Sequence, residues 1–254
     1  MTFSWDRRIA RAGELIQTSS AVSELLRFYQ RLARFQQSIY KTVAVSAEHD
    51  VSALVRHFPG LLNLINESGS PALKTAAAAF AELSAEERLE LLTAFWQHEV
   101  ESREMPAEYA FFAHAVLQPF AEFLAERTSS STEASPPLCP FCGSRPQVAV
   151  LRPEGDGGKR FLLCSLCGTE WVFRRVLCPN CAEENKDHLP VFMAQEFDYV
   201  RVDACDTCHT YIKSIDLTKN GNAVPVVDEL ATVSLNLWAQ EHNYQKLQPN
   251  LFGV

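Results

Sequence analysis

The chain has 254 residues, of which 47% are hydrophobic and 21% charged, and its formal net charge is −8. This composition excludes bulk disorder, and no apolar run approaches the roughly 18 residues needed to span a bilayer. The acidic balance, with no segment in basic excess, argues against binding of a nucleic-acid backbone.

The opening stretch, "MTFSWDRRIARAG", has charges but no apolar core and no small-residue cleavage site, so it does not read as a secretory signal. The expected compartment is the cytoplasm, where thiols stay reduced. From there to about residue 127 the pattern is helical. Val22, Leu25, Leu26, Tyr29, Leu32, Ala33, Ile39, Tyr40 and Val43 recur at spacings of three and four, with Arg27, Gln30, Arg31, Arg34 and Gln37 mostly opposite. A helical segment near residues 50–67 stops at "ESGSP". Ser70 is placed to cap a helix with Pro71 in its first turn, and Ser84 with Glu87 has capping-box spacing. The aromatic-rich "PAEYAFFAHAVLQPFAEFLAER" reads as core helix, with Pro119 expected to kink or divide it. Together these segments predict a helical bundle over residues 1–127. The polar, proline-ending "TSSSTEASPP" begins a linker at 128–138.

Every cysteine lies beyond that linker, and all eight fall in C-x-x-C pairs. Cys139, Cys142, Cys164 and Cys167 form one C-x2-C-x21-C-x2-C unit; Cys178, Cys181, Cys205 and Cys208 form a second with 23 residues between its pairs. A C-x-x-C turn aims two thiolates at one side of a metal, and a second turn brought back by a hairpin completes a tetrahedron. Two metal ions are therefore expected, each held by four cysteine thiolates. Iron and zinc both accept such a set. Four sulfurs leave no open position for water, which disfavours hydrolytic chemistry.

The residue after each second cysteine often needs a positive φ, which suits glycine. Gly143 and Gly168 occupy that place in the first unit, Ala182 and His209 in the second, so a regular first site and a less regular second one are expected. Short apolar runs between the knuckles predict two antiparallel ribbons with little core, over residues 139–176 and 177–216, with "PEGDGG" as a hairpin loop. An extension over 217–254 contains "VDELATVSLNLWAQEHNY", read as one helix with Leu230, Val233, Leu237 and Trp238 on a face. The remaining histidines are scattered, and no hydrolase or nucleotide-binding motif is present. The fold class is thus α+β: an N-terminal all-α bundle, two tandem four-cysteine ribbon modules and a C-terminal helix. Arg174 and Arg175, beside Trp171 and Phe173, are the one candidate cluster for nucleic acid.

The segments "CPFCGSRP", "CSLCGTEW", "CPNCAEEN", "CDTCHTYIKSIDL", "AVPVVDELAT", "LNLWAQE" and "PNLFG", with "FYQRLARFQ" in the helical part, resemble the formate dehydrogenase accessory (formation) protein family, FdhE, across essentially the whole chain. The resemblance implies a cytoplasmic assembly factor, not itself an enzyme. Its implied partner is the catalytic, molybdenum- and selenocysteine-containing subunit of a respiratory formate dehydrogenase, met before export. It further implies rubredoxin-like sites of iron or zinc, with the eight cysteines as ligands. Two other readings follow the metal sites: a one-electron redox protein acting on the same enzyme, if the metal is iron, and a zinc-ribbon nucleic-acid binder.

Overall fold

The computed structural model describes residues 4–18, 20–46, 49–98, 105–128, 136–155 and 157–253. Most of the segment expected as a linker, 129–135, lies outside them, as does Asp156 of the expected hairpin loop. Six helices come first: α1 (Trp5–Thr18), α2 (Ser23–Val45), α3 (Phe58–Ser68), α4 (Pro71–Ala81), α5 (Ala85–Trp96) and α6 (Ala107–Glu126). A 3₁₀ turn, Val51–His57, leads into α3. The local signals explain the starts. The Ser70 hydroxyl accepts from the Leu73 amide, and Ser84 and Glu87 exchange the two bonds of a capping box.

Helix α2 buries Leu26, Tyr29, Leu32, Ala33, Ile39 and Val43, as its periodicity requires, and also Gln36. That glutamine answers a problem in α6. Pro119 has no N–H, so the Ala115 carbonyl loses its helical partner. The Gln36 side-chain amide donates to that oxygen at 3.1 Å. The helix therefore runs undivided through Pro119, which the sequence suggested would kink or divide it. Buried on nearly all sides, α6 is the centre of the bundle, with Phe111, Phe112, Val116, Leu117, Phe120 and Phe123 in the core.

The second half forms strands β1 (Pro146–Glu154), β2 (Gly157–Cys164), β3 (Glu170–Val172), β4 (Val191–Met193), β5 (Val200–Cys205) and β6 (Thr210–Asp216). Helices α7 (Pro225–Ala231) and α8 (Val233–Glu241) and a short β7 (Gln245–Lys246) follow. Each four-cysteine unit supplies an antiparallel ribbon, β1–β2–β3 and β4–β5–β6, and the ribbons do not stand apart. Parallel pairing of β1 with β6, from Val148↔Lys213 to Leu151↔Asp216, joins them into one seven-stranded sheet of order β3-β2-β1-β6-β5-β4. Strand β7 extends the same edge of β6 at Thr210 and Tyr211. One sheet face, with Ala149, Leu162, Trp171 and Ile212, packs into the bundle core. The other, with Val148, Val150, Leu163, Val202 and Ile215, packs with α1, α7 and α8. This shared sheet supplies the core that isolated ribbons would lack.

The expected single C-terminal helix is two. The chain leaves helical geometry at Thr232 (φ −108°, ψ 40°). There the Lys213 ammonium, with no exposed surface, donates to the Glu229 carbonyl at 2.5 Å and to the Thr232 carbonyl and hydroxyl at 3.2 Å. A cation at a helix C-terminus satisfies carbonyls that a continuing helix would have used. The break also rotates Leu237 outward, to 57% exposure, so it is not on a buried face.

Acidic residues of α7 fasten the parts together. Asp228 receives the Arg11 guanidinium of α1 at 2.7 Å and the Tyr199 hydroxyl at 2.8 Å. Three residues earlier on α1, Arg8 pairs with buried Glu122 of α6 at 2.8 Å. Glu229 pairs with Lys213 at 2.9 Å and with Lys246, and accepts from Gln147 at 3.2 Å and Asn250 at 3.0 Å. Burial alone would raise the Glu229 carboxyl; the two lysines override it and hold it at about 2. The tail closes on the bundle, with the Phe252 ring 5.8 Å from Phe28 and 6.0 Å from Phe111.

Replacing Gln36 with alanine leaves a buried carbonyl bare and is expected to lower stability by about 1–3 kcal/mol. Adding Pro119→Ala returns a backbone donor to the same oxygen and should recover part of that loss. Urea unfolding of wild type, both single variants and the double variant measures the coupling; strictly additive effects would show that the amide does not serve this carbonyl.

Candidate metal centres

Each C-x-x-C knuckle closes in the same way. The first cysteine's amide donates to the carbonyl five residues on: Cys139 to Ser144, Cys164 to Thr169 and Cys178 to Glu183, each at 2.9 Å. In the fourth knuckle, Cys205 pairs with Thr210 across the β5–β6 hairpin. Such closure turns the residue after the second cysteine left-handed: Gly143 at φ 75°, Gly168 at 64°, Ala182 at 61° and His209 at 53°. The second unit thus repeats the turns of the first despite lacking glycines, and carries the strain that a Cβ brings there. His209 is not among the four clustered ligand atoms; its ring lies beside Tyr244, 6.3 Å between centroids.

The turns gather two groups of four thiols: Cys139, Cys142, Cys164 and Cys167, then Cys178, Cys181, Cys205 and Cys208. Within each group all sulfurs lie within 4.8 Å of one another. A metal–sulfur bond of about 2.3 Å gives a tetrahedral edge of about 3.8 Å. The second group has edges of 3.7 Å (Cys178–Cys208) and 3.6 Å (Cys181–Cys205); the first is slightly tighter, at 3.4–3.5 Å. These distances are far beyond the roughly 2.05 Å of a disulfide and fit a shared ion. Both groups are able to hold one.

Ionisation in the first group is split. Hydrogen bonds from Cys142, Cys164 and Cys167 drive the Cys139 thiol far down, while burial drives Cys164 far up. Four thiols this close do not all lose their protons unaided, and a cation is what would allow it. Backbone amides of Leu166 and Cys167 approach the Cys164 sulfur at 3.4 Å, as the Asn180 amide approaches Cys178. Hydroxyls two residues after the second cysteine approach the sulfurs as well: Ser144 at 3.4 Å from Cys142, Thr169 at 3.1 Å from Cys167, and Thr210 at 3.0 Å from Cys208. Against burial, which raises it, hydrogen bonding led by Thr210 brings Cys208 down to about 6. The sequence pattern C-x-x-C-x-[ST], present in three of the four knuckles, is the signal that marks these hydroxyls.

The surroundings of the groups differ. Cys139, Cys164 and Cys167 are buried within the bundle core, whereas Cys181 of the second group is exposed. Two histidines that looked unrelated to the cysteines grip the first group. His98 Nε2 lies 2.6 Å from the Cys142 carbonyl, and buried His114 Nε2 lies 2.9 Å from the Ser165 carbonyl. Burial pushes the His114 imidazole down to about 4, so near neutral pH it is uncharged and donates one N–H to Ser165. The candidate nucleic-acid cluster is not assembled: Trp171 and Phe173 are buried, and Arg174 pairs with Glu184 at 2.7 Å. Among the described residues, no helix is long and apolar enough to cross a membrane.

Fold and sites together define a helical bundle fused to a sheet that carries two closed four-thiol centres. Two family models match the second half: "FdhE, central domain" over residues 138–175 and "FdhE, C-terminal domain" over 176–252. A protein named FdhE homolog from Aquifex aeolicus is 35% identical over 209 residues, covering 82% of this chain and 72% of that one. An FdhE homolog from Cronobacter sakazakii is 26% identical, covering 98% of this chain and 87% of its own length. The crystal structure of the FdhE protein from Pseudomonas aeruginosa superposes with a TM-score of 0.78 at 25% identity, covering 100% of this chain and 98% of that one. The chain belongs to the FdhE family.

The folded-state value of His114 lies below the ordinary 6.5, so the unfolded chain binds the extra proton first as pH falls. The stability this group contributes is complete above about pH 6.5 and is lost as pH falls through about 4. It amounts to about 3 kcal/mol for a shift of this size. His114→Phe is expected to flatten the stability profile in that window relative to wild type, read by denaturant midpoints at each pH. Identical slopes would remove His114 from the acid response.

Proposed function

We propose that this protein is a formate dehydrogenase accessory factor, which binds the catalytic subunit of a respiratory formate dehydrogenase in the cytoplasm and assists its maturation or activity before export. Membership of the FdhE family, with a relative matched over most of both chains, carries this reading. The mode of action is stoichiometric recognition rather than catalysis. Cys139, Cys142, Cys164 and Cys167 hold one metal ion, and Cys178, Cys181, Cys205 and Cys208 hold a second. In each, four thiolates saturate a tetrahedral ion, and the chemistry supplied is cross-linking of two hairpin ends. Histidines 98 and 114 hold the first centre to the bundle, so a surface spanning bundle and sheet keeps its shape. The eight thiols, none joined in a disulfide, suit a reducing compartment. Purified, metal-loaded protein should capture the catalytic subunit at micromolar concentration, and removing metal with a chelator should abolish capture. Failure of the loaded protein to bind would overturn the proposal.

Exposure of Cys181 favours a second reading, in which the second centre holds iron and passes single electrons to the same enzyme. Anaerobic metal analysis separates the two. Two metal equivalents are expected in wild type, falling to one in Cys139→Ser and in Cys178→Ser. Iron with a reversible one-electron couple, lost in Cys178→Ser, supports electron transfer; zinc in both centres excludes it.

A further inference from the structure

Strand β4 ends the sheet, and among the described residues only β5 pairs with it. The Ala204 amide donates to the Pro190 carbonyl at 3.0 Å, and the Asp206 amide to the His188 carbonyl at 2.9 Å. His188, Pro190 and, by the same alternation, Phe192 therefore turn their backbone groups inward to β5. The N–H and C=O groups of Val191 and Met193 turn outward, placed to pair with a further strand. Sheet edges are usually blunted by charges, prolines, bulges or shortness. The sequence Val191-Phe192-Met193 has no charge and no proline, and its register with β5 has no bulge. Pro190, just before it, lacks a donor only on the β5 side. Its one protection is a length of three residues.

The side chains mark the same edge. Among the described residues six large apolar side chains are exposed, and three gather here: Val191 at 51%, Met193 at 52% and Leu237, next to Trp238. Val191 and Met193 stand on one sheet face. Phe192 stands on the other, its ring 4.7 Å from Trp238 and 6.0 Å from Tyr244. Clustered apolar exposure beside unpaired backbone is the mark of a contact surface. Its pattern is symmetric about Phe192. An antiparallel copy of β4, set with Phe192 opposite Phe192, places Val191 opposite Met193 twice. Every directly opposed pair is then apolar, and four backbone hydrogen bonds join Val191 and Met193 of the two copies. The flanking turns, Lys186–His188 and Gln195–Phe197, also meet across this axis. In chain order Lys186 falls opposite Asp198, while Asp187 falls opposite Phe197. Lys186 and Asp198 are both exposed, and neither joins an ion pair among the described residues.

We propose that two copies of this chain associate through β4, antiparallel about a two-fold axis at Phe192, so that each sheet continues into the other. Such a contact uses one patch on both copies and closes as a dimer. A seam this short suits a reversible dimer, with a dissociation constant on the order of 10–100 µM. The inference stands on the edge strand alone, independently of the formate dehydrogenase reading.

Sedimentation equilibrium of the full-length, metal-loaded protein tests it. A monomer that gives way to a dimer as concentration rises through that range, with no larger species, is expected. Amide hydrogen exchange reads the register: Val191 and Met193 should gain protection with concentration, while Phe192, bonded to β5, is protected throughout. Val191→Glu and Met193→Lys each set a charge against an apolar side chain twice in the dimer, and each should weaken association by at least about 10-fold. Both positions face water, and circular dichroism checks that each variant folds. Combined in one chain, the two substitutions oppose each other across the seam, and association should recover by about 3- to 10-fold over the weaker single variant. Val45→Lys, at an exposed site on α2, should leave association unchanged. Loss in both single variants without recovery in the double variant overturns the two-fold register. A dimer that neither single variant weakens overturns the proposal. So does a monomer at every concentration, which would leave the edge to an extended segment of another polypeptide.

Discussion

A carboxylate with no exposed surface, that of Glu229, sets the register of the whole molecule. An isolated charge buried this way costs several kcal/mol. It is tolerable here because four groups from four segments meet it: Lys213 on β6, Lys246 on β7, Gln147 on β1 and Asn250 in the tail. Gln147 and Lys246 meet the carboxylate together because β1 and β7 lie along the same edge of β6. The parallel β1–β6 pair that joins the two ribbons is therefore tied to the satisfaction of one acidic side chain. Both thiol groups hang from that junction. Cys164 ends β2, hydrogen-bonded to β1, while Cys205 ends β5 and Thr210 opens β6.

With the junction fixed, the two centres come to lie in different surroundings. The first is inside the bundle core, and its knuckles are held by His98 and His114 from the helical half. Opening it would strip contacts from Trp171, Leu166 and the aromatics of α6, which share that core. At the second centre Cys181 faces water, and its knuckles are held by hydrogen bonds from their own loops and by Arg145 on Asn180, Arg160 on the Leu177 carbonyl and Tyr244 on Asp206. Nearly the same spacing in sequence, 21 and 23 residues between the pairs, has produced one centre inside the bundle core and one with a cysteine at the surface.

The contrast between local and distant partners also explains what could be read in advance. The apolar period of α2, the caps at Ser70 and Ser84 and the four cysteine pairs are each written within a few residues, and each is legible. Gln36 meets Ala115 and His114 meets Ser165 across 79 and 51 residues of chain, and nothing local marks either. The division of the C-terminal helix at Thr232 depends on a lysine from β6, so the helical pattern of "VDELATVSLNLWAQ" misleads. The hydroxyls near the sulfurs are a different case, since Ser144, Thr169 and Thr210 stand at a fixed offset from their knuckles. That offset is written in the sequence, one residue past the position that favours glycine.

The same reasoning separates what marks the family from what could recognise a partner. In "VVDELAT", Asp228 and Glu229 have no exposed surface, and Thr232 has almost none. In "PNLFG", Asn250 is buried against Glu229, and Phe252 packs on Phe28 and Phe111. A side chain sealed in this way cannot touch another protein. These motifs build the scaffold, and two of the cysteine pairs do the same from inside the core. Recognition must then be carried by side chains that face water. Apolar ones are exposed on the edge strand β4, at Val191 and Met193, and beside it on α8, at Leu237. The interior thus specifies that the surface is presented in one fixed shape, while the exposed positions decide what it meets.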